Sequence, residues 1–143
     1  MKISQAGIDF IKSFEGLRLK AYDDGGGVPT IGYGSTAGVH MGDEITAEEA
    51  ESMLVWDLAE AEDAVNMYVD VDISQNEFDA LVSLVFNIGA GAFNQSTLLR
   101  LLNMGDRTGA ALQFPRWCKD NGKTVQGLLN RRNKEMEMFK GEA

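Results

Sequence analysis

Two tetrapeptides constrain the fold of this chain more than any other feature: Thr46-Ala47-Glu48-Glu49 and Ser74-Gln75-Asn76-Glu77. Each sets a hydroxyl three residues before a glutamate. In that arrangement the hydroxyl takes the backbone N–H of the glutamate, the carboxylate takes the N–H of the hydroxyl residue, and a helix starts. Behind the first, Ala50, Met53, Leu54, Leu58, Ala61 and Val65 recur at helical spacing; behind the second, Phe78, Leu81, Val82, Val85 and Phe86 do the same. Ser96 opens a third segment with Leu98, Leu99, Leu101 and Leu102, and Asp106 to Trp117 reads as a shorter helical pattern broken near Pro115. Thr124 reads as the cap of a last helix, with Val125, Leu128, Leu129, Met136 and Phe139 facing inward. At the other end Ser4 caps a first helix, with Ile3 and Ile8 as a hydrophobic staple and Phe10, Ile11 and Phe14 on its apolar face. Gly16 suits the left-handed position that ends it.

Between the first helix and Thr46 the period changes. Leu19 to Tyr22 and Thr30 to Tyr33 read as short strands around Gly25-Gly26-Gly27, a small antiparallel hairpin with a flexible loop, and Gly38 to Gly42 continue an irregular, β-containing region. No internal repeat, low-complexity tract or interdomain linker interrupts the 143 residues. The fold class is α+β, mainly α, in one domain, long enough to bury roughly two-thirds of its unfolded surface.

Composition removes several classes of function. No apolar run approaches the roughly 18 residues that span a bilayer, and Met1 to Gly7 lack the apolar core of a signal peptide, so the expectation is a cytoplasmic protein without membrane insertion. The single cysteine, Cys118, reads as a small buried hydrophobe rather than a nucleophile, and with His40 the only histidine no zinc site is expected. The net charge of −9 argues against nucleic acid as a partner. It is laid out unevenly: fifteen acidic residues and no Lys or Arg lie between Ala21 and Leu99. A solvated helix face is the plainer account of that stretch. The other is that the basic ends gather around a cleft for an anionic polymer.

The chemistry concentrates before residue 35. Glu15 falls at the C-terminal end of the first helix, where the macrodipole disfavours a negative charge and so favours a carboxyl that keeps its proton, as a general acid must. Asp23 and Asp24 precede the glycine run, where Asp is also an ordinary turn residue. Thr30 follows Pro29 and begins a strand, ordinary work for a β-branched residue. An acid, a second carboxylate and a hydroxyl form a set able to hydrolyse a glycosidic bond.

Glu15-Gly16-Leu17-Arg18-Leu19-Lys20-Ala21-Tyr22, then Asp24, then Thr30-Ile31-Gly32-Tyr33-Gly34 resembles the phage-type lysozymes, glycoside hydrolase family twenty-four. The resemblance implies a lysozyme-like two-lobed fold. A small β lobe at about residues 16–45 is joined by a long helix to a helical lobe at about 46–143, which also takes the N-terminal helix, and a cleft lies between the lobes. It implies Glu15 as proton donor, selects Asp24 over Asp23 as base or charge stabiliser, and makes Thr30 the residue that holds the attacking water. If Asp24 acts through such a water, the product is inverted and the carboxyls are roughly 6.5–9.5 Å apart. Phe86-Asn87-Ile88-Gly89 with Gly91-Ala92-Phe93 resembles the segment that lines the family's cleft, which makes Phe86 and Asn87 substrate contacts. Arg116-Trp117 and Asn130-Arg131-Arg132 resemble the last matched segments, and Arg131, with Arg132 as the alternative, is the guanidinium expected to pair with the catalytic glutamate. One departure stands beside the triad: Ser35 occupies a position where many members carry histidine.

The resemblance further implies an endolysin muramidase, cutting the β-1,4 bond between N-acetylmuramic acid and N-acetylglucosamine in bacterial peptidoglycan without metal or cofactor. It would wait as a monomer in the host cytoplasm until a holin releases it to the wall. A lytic transglycosylase on the same bond, or a wall-binding module without catalysis, are the alternatives.

Overall fold

Both tetrapeptides close as their spacing predicts. Thr46 N–H donates to Glu49 Oε1 at 3.0 Å and Glu49 N–H to Thr46 Oγ1 at 3.1 Å. Ser74 and Glu77 repeat the exchange at 2.8 and 3.1 Å. The structure, a computed structural model, describes residues 1–141. Its helices are α1 (Gln5–Lys12), α2 (Ala47–Tyr68), α3 (Gln75–Ile88), α4 (Ala90–Asn94), α5 (Thr97–Asn103), α6 (Arg107–Ala111) and α7 (Gln126–Lys140), with a 3₁₀ turn at Phe114–Arg116. Strands β1 (Arg18–Asp23) and β2 (Pro29–Gly32) form one antiparallel hairpin, β3 (Lys119–Asp120) and β4 (Lys123–Thr124) another. The class is α+β and mainly helical, as expected. The chain divides into two compact units, Ile8–Ala59 and a second made of Met1–Gly7 with Glu60 onward.

In the first unit β1 and β2 pair Tyr22 with Thr30 and Asp23 with Pro29, and the register shifts between Arg18 and Tyr22. Ala21 N–H and Leu19 C=O bond to Asp43 and Ile45 at 2.9 Å, so the segment after Gly42 runs briefly along β1. Ile8, Ile11, Ile31, Tyr33, Ala50, Leu54 and Leu58 are buried apolar side chains here. Gly32 has φ +67, and a Cβ there would lie 3.4 Å from Ala50 Cβ, so both the backbone and the space call for glycine. The helix end corrects an expectation. Glycine is not used in the left-handed state to stop α1, since Gly16 is not among the glycines with positive φ. The coil instead runs out through Ser13, Phe14 and Glu15, whose N–H groups bond back to Asp9, Phe10 and Ile11 carbonyls.

In the second unit Phe78, Leu81, Val82 and Val85 of α3 are buried with Leu98, Leu102, Phe114 and Phe139, the last two with ring centroids 5.4 Å apart. The N-terminal residues are tied down by buried acids. Ile3 N–H donates to Glu62 at 2.7 Å, Ser4 N–H to Asp79 at 3.1 Å, and Ser4 Oγ also reaches Asp79. The end of the chain departs from the sequence pattern twice. Thr124 does not cap α7: it belongs to β4, and Val125 precedes the helix without a side-chain cap. The inward face of α7 is not the apolar set either. Arg131, Arg132, Glu135 and Phe139 are its buried residues, while Val125 is exposed and Leu128, Leu129 and Met136 are half-buried.

Candidate active site

The hairpin β1–β2 shapes the carboxylate end of the site. Its loop closes through side chains rather than through a tight two-residue turn. Asp23 Oδ1 accepts the N–H groups of Gly25 and Gly27 at 2.7 and 2.9 Å, and Asp24 Oδ1 accepts those of Gly26 and Val28 at 2.7 and 3.3 Å. Gly25 and Gly27 have φ +98 and +82, a conformation that needs glycine. Asp24 N–H also reaches the Val28 carbonyl at 3.3 Å. The hydroxyl of Thr30 donates to that same carbonyl at 3.1 Å. Asp24 and Thr30 are therefore fixed by one peptide unit, Val28. Asp24 is exposed and Thr30 buried, and among the described residues nothing donates to Asp24 Oδ2.

Glu15 is half-buried and lies three residues past the end of α1, its N–H 3.2 Å from the Ile11 carbonyl. Ser35 does not dangle where a histidine is common. It is buried, its backbone exchanges both bonds with Ile31 at 2.9 Å, and its hydroxyl donates to Asp57 Oδ2 of α2 at 2.5 Å. This pins the turn after β2 to α2, five residues beyond Thr30. His40 takes no part: its side chain is exposed and its backbone N–H caps Asp43.

In the other unit a recess of about 590 Å³ opens at the C-terminal end of α3. Its apolar wall is Ile88, Trp117, Val125 and Leu128, and Asn87, Arg116, Lys119 and Asp120 supply its polar groups. An aromatic plane beside amide and charged groups suits a saccharide, whose ring has an apolar face and a polar edge. Phe86, paired with Asn87 in the sequence reading, is half-buried and stands outside this lining. Asn87 is exposed rather than buried, which corrects the expectation of a buried amide seeking partners.

Behind Asn87 lies a cluster that the apolar pattern of α7 does not reveal. Arg132, fully buried, donates from Nη1 to Asn87 Oδ1 at 2.9 Å and from Nη2 to Glu135 Oε2 at 3.0 Å, and its Nε stands 2.6 Å from Glu135 Oε1. Arg131 reaches Glu135 Oε2 from Nε and both oxygens of Ser83 from Nη2, each at 3.3 Å. Ser83 Oγ donates to the same carboxylate. Burial pushes the Glu135 carboxyl up and the Arg132 guanidinium down, each opposed by the attraction of the other. Arg131 is accordingly packed against α3 and does not line the recess. The signal for this cluster was in the chain: Arg131 and Arg132 stand four and three residues before Glu135, on one helix face.

Helix order, the carboxylate-bearing hairpin after the first helix and the long second helix together define a lysozyme-type protein. The solved muramidase domain of SpmX from Asticaccaulis excentricus superposes with a TM-score of 0.90 at 44% identity, over 96% of this chain and 97% of that one. The sequence pattern of the phage lysozyme family matches residues 12–135, and the chain belongs to that family. The endolysin of Bacillus phage PZA is 50% identical over 97% of this chain, which spans only 55% of that protein's length. The endolysin of Acyrthosiphon pisum secondary endosymbiont phage 1 is 47% identical over 97% of this chain and 98% of its own.

Proposed function

We propose that this chain is an endolysin muramidase that hydrolyses the β-1,4 bond between N-acetylmuramic acid and N-acetylglucosamine in bacterial peptidoglycan. The observation that carries the reading is that the Asp24 N–H and the Thr30 hydroxyl share the Val28 carbonyl, in a family of phage lysozymes. The only proton of the Thr30 hydroxyl goes to the Val28 carbonyl, so Oγ1 faces any water as an acceptor. A water held there points one O–H at Thr30 and offers the other to Asp24 Oδ2. Glu15 gives its proton to the leaving glycosidic oxygen as the C–O bond breaks. The water attacks the anomeric carbon and passes its proton to Asp24, leaving an inverted product, and solvent restores both carboxyls. For recognition the reading relies on Asn87 and Trp117, which line the recess at the end of α3. No metal or cofactor enters this scheme.

In the same reading the protein collects in the host cytoplasm, acts as a monomer and reaches the wall through a holin lesion. Among the described residues no helix is long and apolar enough to cross a membrane. The test is mass spectrometry of fragments released from purified peptidoglycan, with Glu15→Gln run beside the parent. Reducing N-acetylmuramic acid ends from the parent alone are expected. Anhydro ends would instead make it a transglycosylase, and absence of fragments from folded protein would leave only a wall-binding module.

A further inference from the structure

We infer that Arg132, held by Glu135, is a positioning residue that fixes the polarity of the Asn87 amide and so makes the recess selective for a carbonyl acceptor, the N-acetyl group of an amino sugar. The inference rests on the muramidase reading and adds the group that is recognised and the residue that sets it.

A carboxamide can present either its oxygen or its NH₂ to a ligand, because the two ends have nearly the same shape. An Asn on an exposed surface can flip to suit either. Asn87 has no such freedom. Arginine carries donors and no acceptor, so the end of the amide that meets Arg132 Nη1 at 2.9 Å has to be the oxygen. The NH₂ is then turned away from the guanidinium, and among the described residues no acceptor takes it. Asn87 also lines the recess, beside Trp117.

The lock is built to hold. The Arg132 side chain is fully buried, with Nε and Nη2 committed to Glu135 and Nη1 left for Asn87. Glu135 is fixed in turn by Arg131 and Ser83. Because the planar guanidinium cannot rotate without breaking these contacts, the Asn87 oxygen stays engaged and the amide offers the recess its NH₂ donors only. At Asn87 such an arrangement receives a carbonyl oxygen and gives an ammonium, which is itself only a donor, no partner. The N-acetyl group presents that carbonyl; the de-N-acetylated sugar presents the ammonium.

Asn87→Asp tests this with little change in shape. One carboxylate oxygen keeps Arg132, and the recess now meets an acceptor where it met donors. The variants are made in a Glu15→Gln background, so that ligand is not consumed. Calorimetric titration uses an oligomer of N-acetylglucosamine and its fully de-N-acetylated counterpart. The parent is expected to prefer the acetylated oligomer. Asn87→Asp should keep or raise Tm, bind the acetylated oligomer about tenfold more weakly, the loss of one well-placed hydrogen bond, and prefer the deacetylated one. Arg132→Lys, in wild-type Glu15 protein that melts cooperatively, should raise KM for peptidoglycan while kcat is largely retained, since the amide is released but not removed. Equal binding of both oligomers by the parent, no binding at all, or an Asn87→Asp variant with the parent's preference would each overturn the inference. Wall fragments released by wild-type protein alongside any of those results would leave the muramidase reading standing. An Asn87-dependent preference without wall fragments would do the reverse.

Discussion

Asp23 and Asp24 are neighbours that do similar work for the loop, and differ in what else they touch. Each gives one carboxylate oxygen to two backbone N–H groups, but only Asp24 shares the Val28 peptide with Thr30. Replacement by Asn keeps an oxygen for those N–H groups and removes the charge, so the pair separates loop-building from chemistry. Asp24→Asn is expected to lower the rate of wall hydrolysis by about 10²–10⁴, with Tm unchanged. Asp23→Asn should stay within a few-fold of the parent in turnover assays, and a comparable collapse there would move the catalytic role to Asp23. At this scale the sequence offered candidates. Residue type supplied two carboxylates and a hydroxyl, and the resemblance singled out Glu15, Asp24 and Thr30, but nothing in them could show that Val28, an unremarkable valine, supplies the carbonyl to which both Asp24 N–H and the Thr30 hydroxyl bond. Asn87 was legible as a polar residue in an apolar run; its polarity was not, because that depends on an arginine 45 residues later.

Among the elements, α1 shows how a sequence signal can be right in kind and incomplete in reason. Ser4 was readable as its cap, and its hydroxyl does take the Gly7 N–H at 3.1 Å. The hydroxyl also meets Asp79 of α3, which explains why position 7 is glycine in a helix where glycine is otherwise costly. A Cβ on Gly7 would stand 2.7 Å from both Asp79 Cγ and Ile3 Cγ1. Gly7→Ala, which would stabilise an open helical site, is therefore expected to destabilise this one by about 1–3 kcal/mol. Denaturant unfolding measures it, and a gain in stability would show that Asp79 yields freely. The capping boxes of α2 and α3 were legible because they are local. The β3–β4 hairpin was half-legible. Asn121-Gly122 at its tip, with φ of 51 and 77, is a strong turn pair, yet polar Lys119, Asp120, Lys123 and Thr124 gave no strand pattern. Apolar periodicity misread α7 for a related reason, since an ion cluster facing inward is invisible to a count of apolar residues.

For the molecule as a whole, the charge distribution does two jobs that composition merges. Part of the acidic stretch is internal. Glu62, Glu77 and Asp79 are buried and take backbone N–H groups of Ile3, Ser74 and Ser4, so that part is not a solvated face. Other members are exposed, Glu60, Asp63 and Asp72 among them, and these feed the net −9 that, in the proposed muramidase role, an anionic wall polymer meets at a distance. Replacing these three by Gln or Asn takes the charge from −9 to −6 without touching a buried acid. Between about 0.01 and 0.1 M salt the screening length falls from about 30 to about 10 Å. The association rate of the parent with peptidoglycan should rise over that range, because repulsion between like-charged partners is progressively screened. The triple variant should start faster and rise less, and both curves should meet near 0.1 M. Stopped-flow binding in the Glu15→Gln background reads this directly. Superimposable curves would mean that the exposed acids only solvate the protein, and that wall encounter is governed by the basic residues outside the acidic stretch.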